Sequence, residues 1–255
     1  MNEREYALMF AVEEQHWWFV ALHELVVRCV SREAASHGPL MVLDAGCGTG
    51  RLCRLLQPFG EVSGCDVAPQ ALAFCRQRRL KVFTADLNDA DLGSARYDVI
   101  TSIDVLYHQA IDDDAPVLAA MYRALKPGGM LILNLVAFEF LRSTHDLAVH
   151  TRERYTRKLL LGRLQRAGFT VETVSYRLAL LFLPIALVRL GKRLLHRNED
   201  APADIASDVS LPPFWLNRVL LGVLRLENRL IGRWPLPFGT SLFVVARKPQ
   251  GVAGS

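Results

Sequence analysis

The chain has 255 residues, 51% of them hydrophobic, with a formal net charge of +4 and a mean hydropathy of +0.18. That length buries a full core, as one large domain or one domain carrying an insertion. The five cysteines (29, 47, 53, 65, 75) form no CxxC pair and leave an odd count, which argues against a disulfide framework or a zinc site and suits a reducing cytoplasm. The start, MNEREYALMFAVEEQ, has neither a basic n-region nor an apolar h-region, so no signal peptide is expected. Charge is unevenly spread: residues 151–197 carry eleven Lys/Arg against two acids, leaving 19 basic and 24 acidic residues elsewhere. Such a basic segment suits an anionic partner or a solvated helix face.

In chain order, apolar residues around Trp18, Leu22, Leu25, Val26 and Cys29 predict a helix over 13–35, which His37-Gly38-Pro39 breaks. A first strand follows at 40–44, then glycines at 46, 48 and 50, then a helix opening at Arg51. A strand feeding a glycine loop and a helix N-terminus is a nucleotide-binding turn, in which the backbone approaches the ligand. The pattern is G-x-G-x-G; Arg51 stands where a dinucleotide fingerprint needs its third glycine. Further strands are expected at 61–66, 80–84, 97–103, 130–137, 171–176 and 242–246, with helices at 69–78, 115–125, 156–168 and 216–231. Lys126-Pro127-Gly128-Gly129 reads as a turn. The alternation predicts an α/β doubly wound sheet with helices on both faces. About sixty residues between the last two strands exceed what a hairpin needs and read as an insertion. Its first part, LALLFLPIALV (178–188), is too short to span a membrane. Residues 198–213 look like a loop, and 216–231 like an amphipathic helix with Leu216, Val219, Leu220, Val223, Leu224, Leu230 and Ile231 on one stripe.

The segments VLDAGCGTG (42–50), VSGCDVAPQAL (62–72), TADLNDADL (84–92), YDVITSIDVLYH (97–108) and LKPGGMLILNL (125–135) together resemble the successive motifs of class I S-adenosylmethionine (SAM) methyltransferases of the small-molecule type. The resemblance covers roughly 40–136. It implies a Rossmann-like, seven-stranded sheet with a helical insertion before the last strand. The domain reading is then an N-terminal helical lid (1–39), a SAM-binding core (40–177), a partly apolar insertion (178–238) and a last strand with its tail (239–255). A second resemblance, carried by HWWF (16–19) and by His145-Asp146, His150 and Arg154-Tyr155-Thr156, is to a subgroup associated with glycan or cell-envelope biosynthesis. By position, the first resemblance gives Asp44, Gly46, Cys47, Gly48 and Gly50 to the methionine part of SAM and Asp66 to the ribose. Val67, Asp86 and Leu87 would border the adenine, and Ile103 and Asp104 would lie beside the methyl group.

Methyl transfer from a sulfonium is an in-line displacement that needs alignment and exclusion of water, and no metal is expected. A hydroxyl acceptor gains from a general base, and His108, His145 and His150 are the candidates. Many relatives carry Glu where Tyr107 stands. Trp17, Trp18, Tyr107 and Tyr155 are candidate substrate contacts, although two adjacent tryptophans cannot share one side of a helix. Asp112-Asp113-Asp114 precedes a helix and reads as an N-cap rather than a metal cluster. The expected activity is O-methylation of a small or lipid-linked metabolite such as a glycan intermediate, in the cytoplasm and in some form at the inner face of the membrane. The insertion either docks on an anionic membrane or caps a greasy substrate. An RNA methyltransferase and a non-catalytic SAM-binding scaffold stay open as alternatives. No recognisable nucleic-acid-binding module is present, so a nucleic-acid partner is not expected.

Overall fold

The computed structural model describes residues 3–142, 146–147, 149–187, 210–231 and 233–250. Seven strands form one sheet: β1 (Leu40–Ala45), β2 (Gly60–Asp66), β3 (Lys81–Thr84), β4 (Tyr97–Ile103), β5 (Leu125–Val136), β6 (Thr170–Arg177) and β7 (Ser241–Arg247). Their order is β3-β2-β1-β4-β5-β7-β6, with β7 antiparallel to both neighbours and the other pairings parallel. The predicted Rossmann-like sheet is therefore present, with all seven strands near their expected positions. Side chains alternate between two buried faces. Val42, Val99, Ile132 and Phe243 pack on one side, and Leu43, Ile100, Leu131 and Val244 on the other.

Two helices precede the sheet, α1 (Glu3–Val12) and α2 (Trp17–His37), where the periodicity predicted a single helix over 13–35. The break has a local cause. His16 caps α2, its Nδ1 accepting from Trp18 N–H at 3.3 Å, and Glu13 turns inward to accept from Thr49 Oγ1 at 2.6 Å. Four helices follow the next strands. They are α3 (Arg51–Leu56), α4 (Pro69–Gln77), α5 (Asp114–Ala124) and α6 (Arg157–Arg166). Pro69 sits in the first turn of α4, Asp113 caps α5 through Ala115 N–H, and Thr156 caps α6 through Leu159 N–H. Lys126–Gly129 is not a free turn: β5 begins at Leu125, opposite Tyr97, and the four residues bulge out before Met130 meets Val99. Gly128, at φ +80°, makes that bulge.

The insertion contributes α7 (Phe214–Leu230), which lies along α2. Most of the expected loop at 198–213 falls outside the described residues. The apolar stripe expected for α7 packs inward except at one position: Leu224 and Ile231 are buried, Leu216, Leu220, Val223 and Leu230 are half-buried, and Val219 is 56% exposed. Glu227 and Asn228, which no apolar pattern marks, are buried beside Leu224. Hydrogen bonds to backbone account for both. Glu227 accepts from Leu178 and Leu180 N–H at 2.6 and 3.1 Å, and Asn228 donates to the Ala21 carbonyl at 2.7 Å. Asn217 fastens the other end, accepting from Trp17 N–H and donating to Gln15 O. The insertion is thus bonded to α2 at both ends of α7.

Candidate active site at the strand ends

A sheet whose order reverses between β1 and β4 opens a crevice outside the carboxyl ends of those strands. A cleft of about 1060 Å³ lies there. Its walls include Asp44, Gly46, Cys47, Gly48, Asp66, Val67, Asp86, Leu87, Ile103 and Asp104, so ten of the eleven residues expected around a cofactor meet at one place. Gly50 does not line it. At φ +80° it starts α3, and a Cβ there would stand 2.5 Å from Leu80 Cδ1 and 2.7 Å from Cys75 Sγ, so packing and backbone conformation explain that glycine. Gly46 is similarly pressed by Val105, whereas a Cβ on Gly48 would meet only Met9 Cε of α1.

Asp66 ends β2 and holds the loop. One oxygen accepts from Gly48 N–H at 3.0 Å, the other from Ala68 N–H at 2.9 Å. Burial raises its carboxyl, and these backbone donors oppose the rise. Each oxygen keeps lone pairs for a diol. Val67 follows, 51% exposed at the mouth, opposite buried Leu87. Asp86 accepts from Asn88 N–H at 3.0 Å and from its Nδ2 at 2.8 Å, both through Oδ1. Asp44 is buried under the loop, and burial pushes it up to about 6 although Thr101 Oγ1 donates to it at 2.6 Å. Among the described residues no cation pairs with Asp44 or Asp66. Two buried carboxylates, a diol-sized acceptor and an apolar slot fit the cationic amino acid, ribose and adenine of SAM.

The N-terminal segment supplies residues that the sequence did not single out. Tyr6, Met9, Glu13 and His23 line the same cleft, as does Arg51 at the start of α3. Glu13 joins Arg78 at 2.7 Å as well as Thr49, a buried link between the N-terminal segment and the sheet domain. His23 faces Arg51 Nη1 at 2.7 Å, and burial holds it neutral, down to about 3. Trp17 and Trp18, both candidate substrate contacts, lie in the first turn of α2 and both border the cleft.

At the methyl end stands Asp104, a non-glycine residue at φ +60°. Burial pushes its carboxyl up to about 7, against Asn134 Nδ2, which donates to it at 3.0 Å, and the buried Arg177 guanidinium. Arg177 reaches Asn134 Oδ1 at 3.5 Å; its Nε and Nη2 have no partner, and burial lowers it to about 10. His108 lines the cleft, as does Tyr107. Ala110 N–H donates to His108 Nδ1 at 3.0 Å, so the neutral ring carries its proton on Nε2. Burial holds His108 down to about 4, and His150, 5.7 Å away ring to ring, adds to this. His150 stands behind His108, outside the cleft lining, and His145 lies outside the described residues.

Tyr155 is a correction. It is fully buried, donates to Asp114 Oδ2 at 2.6 Å and does not reach the cleft. Four of the eleven cations of the basic segment are consumed inside the fold, whereas Arg157, Lys158 and Arg166 are exposed. Arg152 and Arg163 pair with Asp114, Arg154 pairs with Asp146, and Arg177 is buried; Arg189, Lys192, Arg193 and Arg197 lie outside the described residues.

A family profile described as "Methyltransferase domain" matches residues 42–129. A ubiquinone biosynthesis O-methyltransferase of Thiobacillus denitrificans is 30% identical over 203 residues, 65% of this chain and 83% of that protein. The chain belongs to the S-adenosylmethionine-dependent methyltransferases. A probable SAM-dependent methyltransferase of Mycolicibacterium smegmatis is 31% identical over 165 residues, and this methyltransferase spans only 62% of its length. Among solved structures, a SAM-dependent methyltransferase from Mesorhizobium loti superposes with a TM-score of 0.53 at 20% identity, covering 82% of this chain and 91% of that one. The [4+2]-cyclase SpnF superposes at 0.56 with 19% identity, covering 89% and 80%. Likeness at that level carries the fold of this methyltransferase and leaves the acceptor to the site. No helix among the described residues is long and apolar enough to cross a membrane.

Proposed function

We propose that this methyltransferase O-methylates a small or lipid-linked acceptor, of which a glycan intermediate is one form, with Asp104 as general base. The observation that carries the reading is the Asp104 carboxyl, raised to about 7 at the end of β4 and open to the cleft. A base works best when its pKa lies near the working pH. His108, His145 and His150 are the candidate bases from sequence; His108 Nδ1 already accepts from Ala110 N–H and burial holds the ring down to about 4, which makes it a weaker proton acceptor than Asp104. Bound SAM supplies an activated methyl group whose leaving group needs no help from the protein. Asp44 would face the amino-acid end, Asp66 would hold the ribose hydroxyls, and Val67 and Leu87 would enclose the adenine. Asp104 would accept the proton of the acceptor hydroxyl. Asn134 and Arg177 hold the resulting carboxyl in place. Trp17, Trp18 and the insertion keep water out. The O-methyltransferase names of several relatives support the oxygen acceptor. Leu178, Leu181, Pro184, Ile185 and Leu220 line the cleft and support an acceptor with an apolar body.

The test pairs binding with turnover. Calorimetry with S-adenosylhomocysteine should give a heat that Asp66→Ala removes. Methyl-labelled SAM, incubated with aqueous, lipid and RNA fractions of an extract, should label an oxygen-bearing compound in the first or second. Label only in RNA, or only on nitrogen, overturns the acceptor assignment.

A further inference from the structure

Helix α7 has a second apolar stripe, on the side away from the fold. Trp215, Val219, Gly222 and Leu226 follow one another at i, i+4, i+7 and i+11, and so share one face. The three side chains are 67%, 56% and 53% exposed. Arg218, Arg225 and Arg229, at i, i+7 and i+11, run along one border of that stripe and are themselves exposed; Arg225 pairs with Glu24 of α2 at 2.6 Å. The acid of this helix, Glu227, is on the opposite, buried face, bonded to backbone. Outward, therefore, α7 offers apolar side chains and the cations Arg218 and Arg229, with Glu24 of α2 answering Arg225. The neighbouring segment 178–187 carries no charge at all, and Leu183 and Leu187 point out from it. The inner sides of the same two segments, through Leu181, Ile185 and Leu220, form the apolar wall of the cleft. A single layer of chain thus separates the catalytic cleft from an exposed, arginine-bordered apolar surface.

We propose that this surface is the docking face for an anionic bilayer, and that the acceptor enters the cleft from the lipid. An apolar stripe flanked by cations is the pattern of a helix lying in the headgroup plane, with Trp at the boundary and arginines against anionic headgroups. A second copy of the chain packed with its α7 antiparallel to this one would set the two arginine borders against each other, which disfavours that occupant. The lipid origin of the acceptor rests on the proposed methyl transfer; the bilayer contact does not.

The experiment is flotation of the full chain with vesicles of phosphatidylglycerol and phosphatidylcholine, or of phosphatidylcholine alone. The chain should float with the anionic vesicles, lose that binding at high salt, and bind the neutral ones weakly. Trp215→Glu with Leu226→Glu should lower anionic binding by about tenfold or more, and Arg218→Glu with Arg229→Glu should do so at low salt. Both double variants should keep the S-adenosylhomocysteine heat of the parent, since none of these residues lines the cleft. No flotation with anionic vesicles, or equal flotation of the apolar double variant, overturns the proposal. So does a dimer in solution that the same variant dissolves while vesicles leave the parent unbound. Loss of the S-adenosylhomocysteine heat in the parent would instead count against the cofactor reading and leave the docking result standing.

Discussion

Replacing Asp104 with Asn removes one negative charge and keeps the shape of the side chain. The backbone should tolerate it, because φ +60° is a conformation that Asn accepts better than most residues. Asn can still accept from Asn134 Nδ2 through its oxygen. The loss is confined to proton acceptance, which in general-base catalysis contributes about 10²–10⁴ in rate, or about 3–5 kcal/mol. For the parent, kcat/KM should rise with pH through about 7 as Asp104 ionises and then level; the variant should lack that limb. Stability should move the other way. A carboxyl at 3.8 in the unfolded chain and about 7 in the fold binds its proton more tightly when folded, so ionisation costs stability as pH rises from 4 to 7 and costs the full amount above. At 1.36 kcal/mol per pH unit the upper bound is about 4 kcal/mol. Asp104 is partly open to the cleft, and its charge also offsets that of Arg177, so the expected gain for Asn is about 1–2 kcal/mol at about pH 8 and nothing at about pH 4. Label transfer from methyl-labelled SAM and urea denaturation at both pH values read the two effects. Activity within about threefold of the parent at every pH refutes the base assignment. A variant less stable than the parent at about pH 8 refutes the electrostatic reasoning.

Three further outcomes follow from the same contacts. Glu13→Ala leaves Arg78 buried without its anion and removes the tie to Thr49, so α1 should open: about 3 kcal/mol of local stability should go, faster hydrogen exchange in residues 3–12 should report it, and S-adenosylhomocysteine should bind more weakly. Gly50→Ala forces a Cβ against Leu80 and Cys75 at a positive φ, which should cost about 1–3 kcal/mol in denaturation; an unchanged melting temperature would show that the loop tolerates a side chain there. Tyr155→Phe removes a buried hydrogen bond to Asp114, which keeps Arg152 and Arg163; about 1 kcal/mol of stability should be lost with KM unchanged, and a raised KM would return Tyr155 to the substrate side.

The sheet was readable because its strands announce themselves locally. Continuous apolar runs such as 97–103, glycines after β1 and acids at the ends of β2 and β3 depend on neighbours in sequence. The cofactor wall was readable for the same reason: parallel strands bring their carboxyl ends to one edge, so residues at those ends must meet. Gly50 misled because a glycine needed for packing and one needed for a ligand look alike in a string.

By itself the sequence determined the seven-stranded α/β fold and the strand-end position of Asp44, Asp66 and Asp104, since period and strand-end chemistry are properties of short segments. The tertiary structure decided which polar groups are buried and with whom. Glu227 and Asn228 turn inward because they meet distant backbone, the N–H groups of Leu178 and Leu180 and the carbonyl of Ala21, while Trp215 and Val219 face out. Burial likewise separates the two candidate bases, raising Asp104 and lowering His108, because removal from water penalises the charged form of each, anionic in one and cationic in the other. No local pattern carries that information; it exists only once the chain has enclosed the cleft.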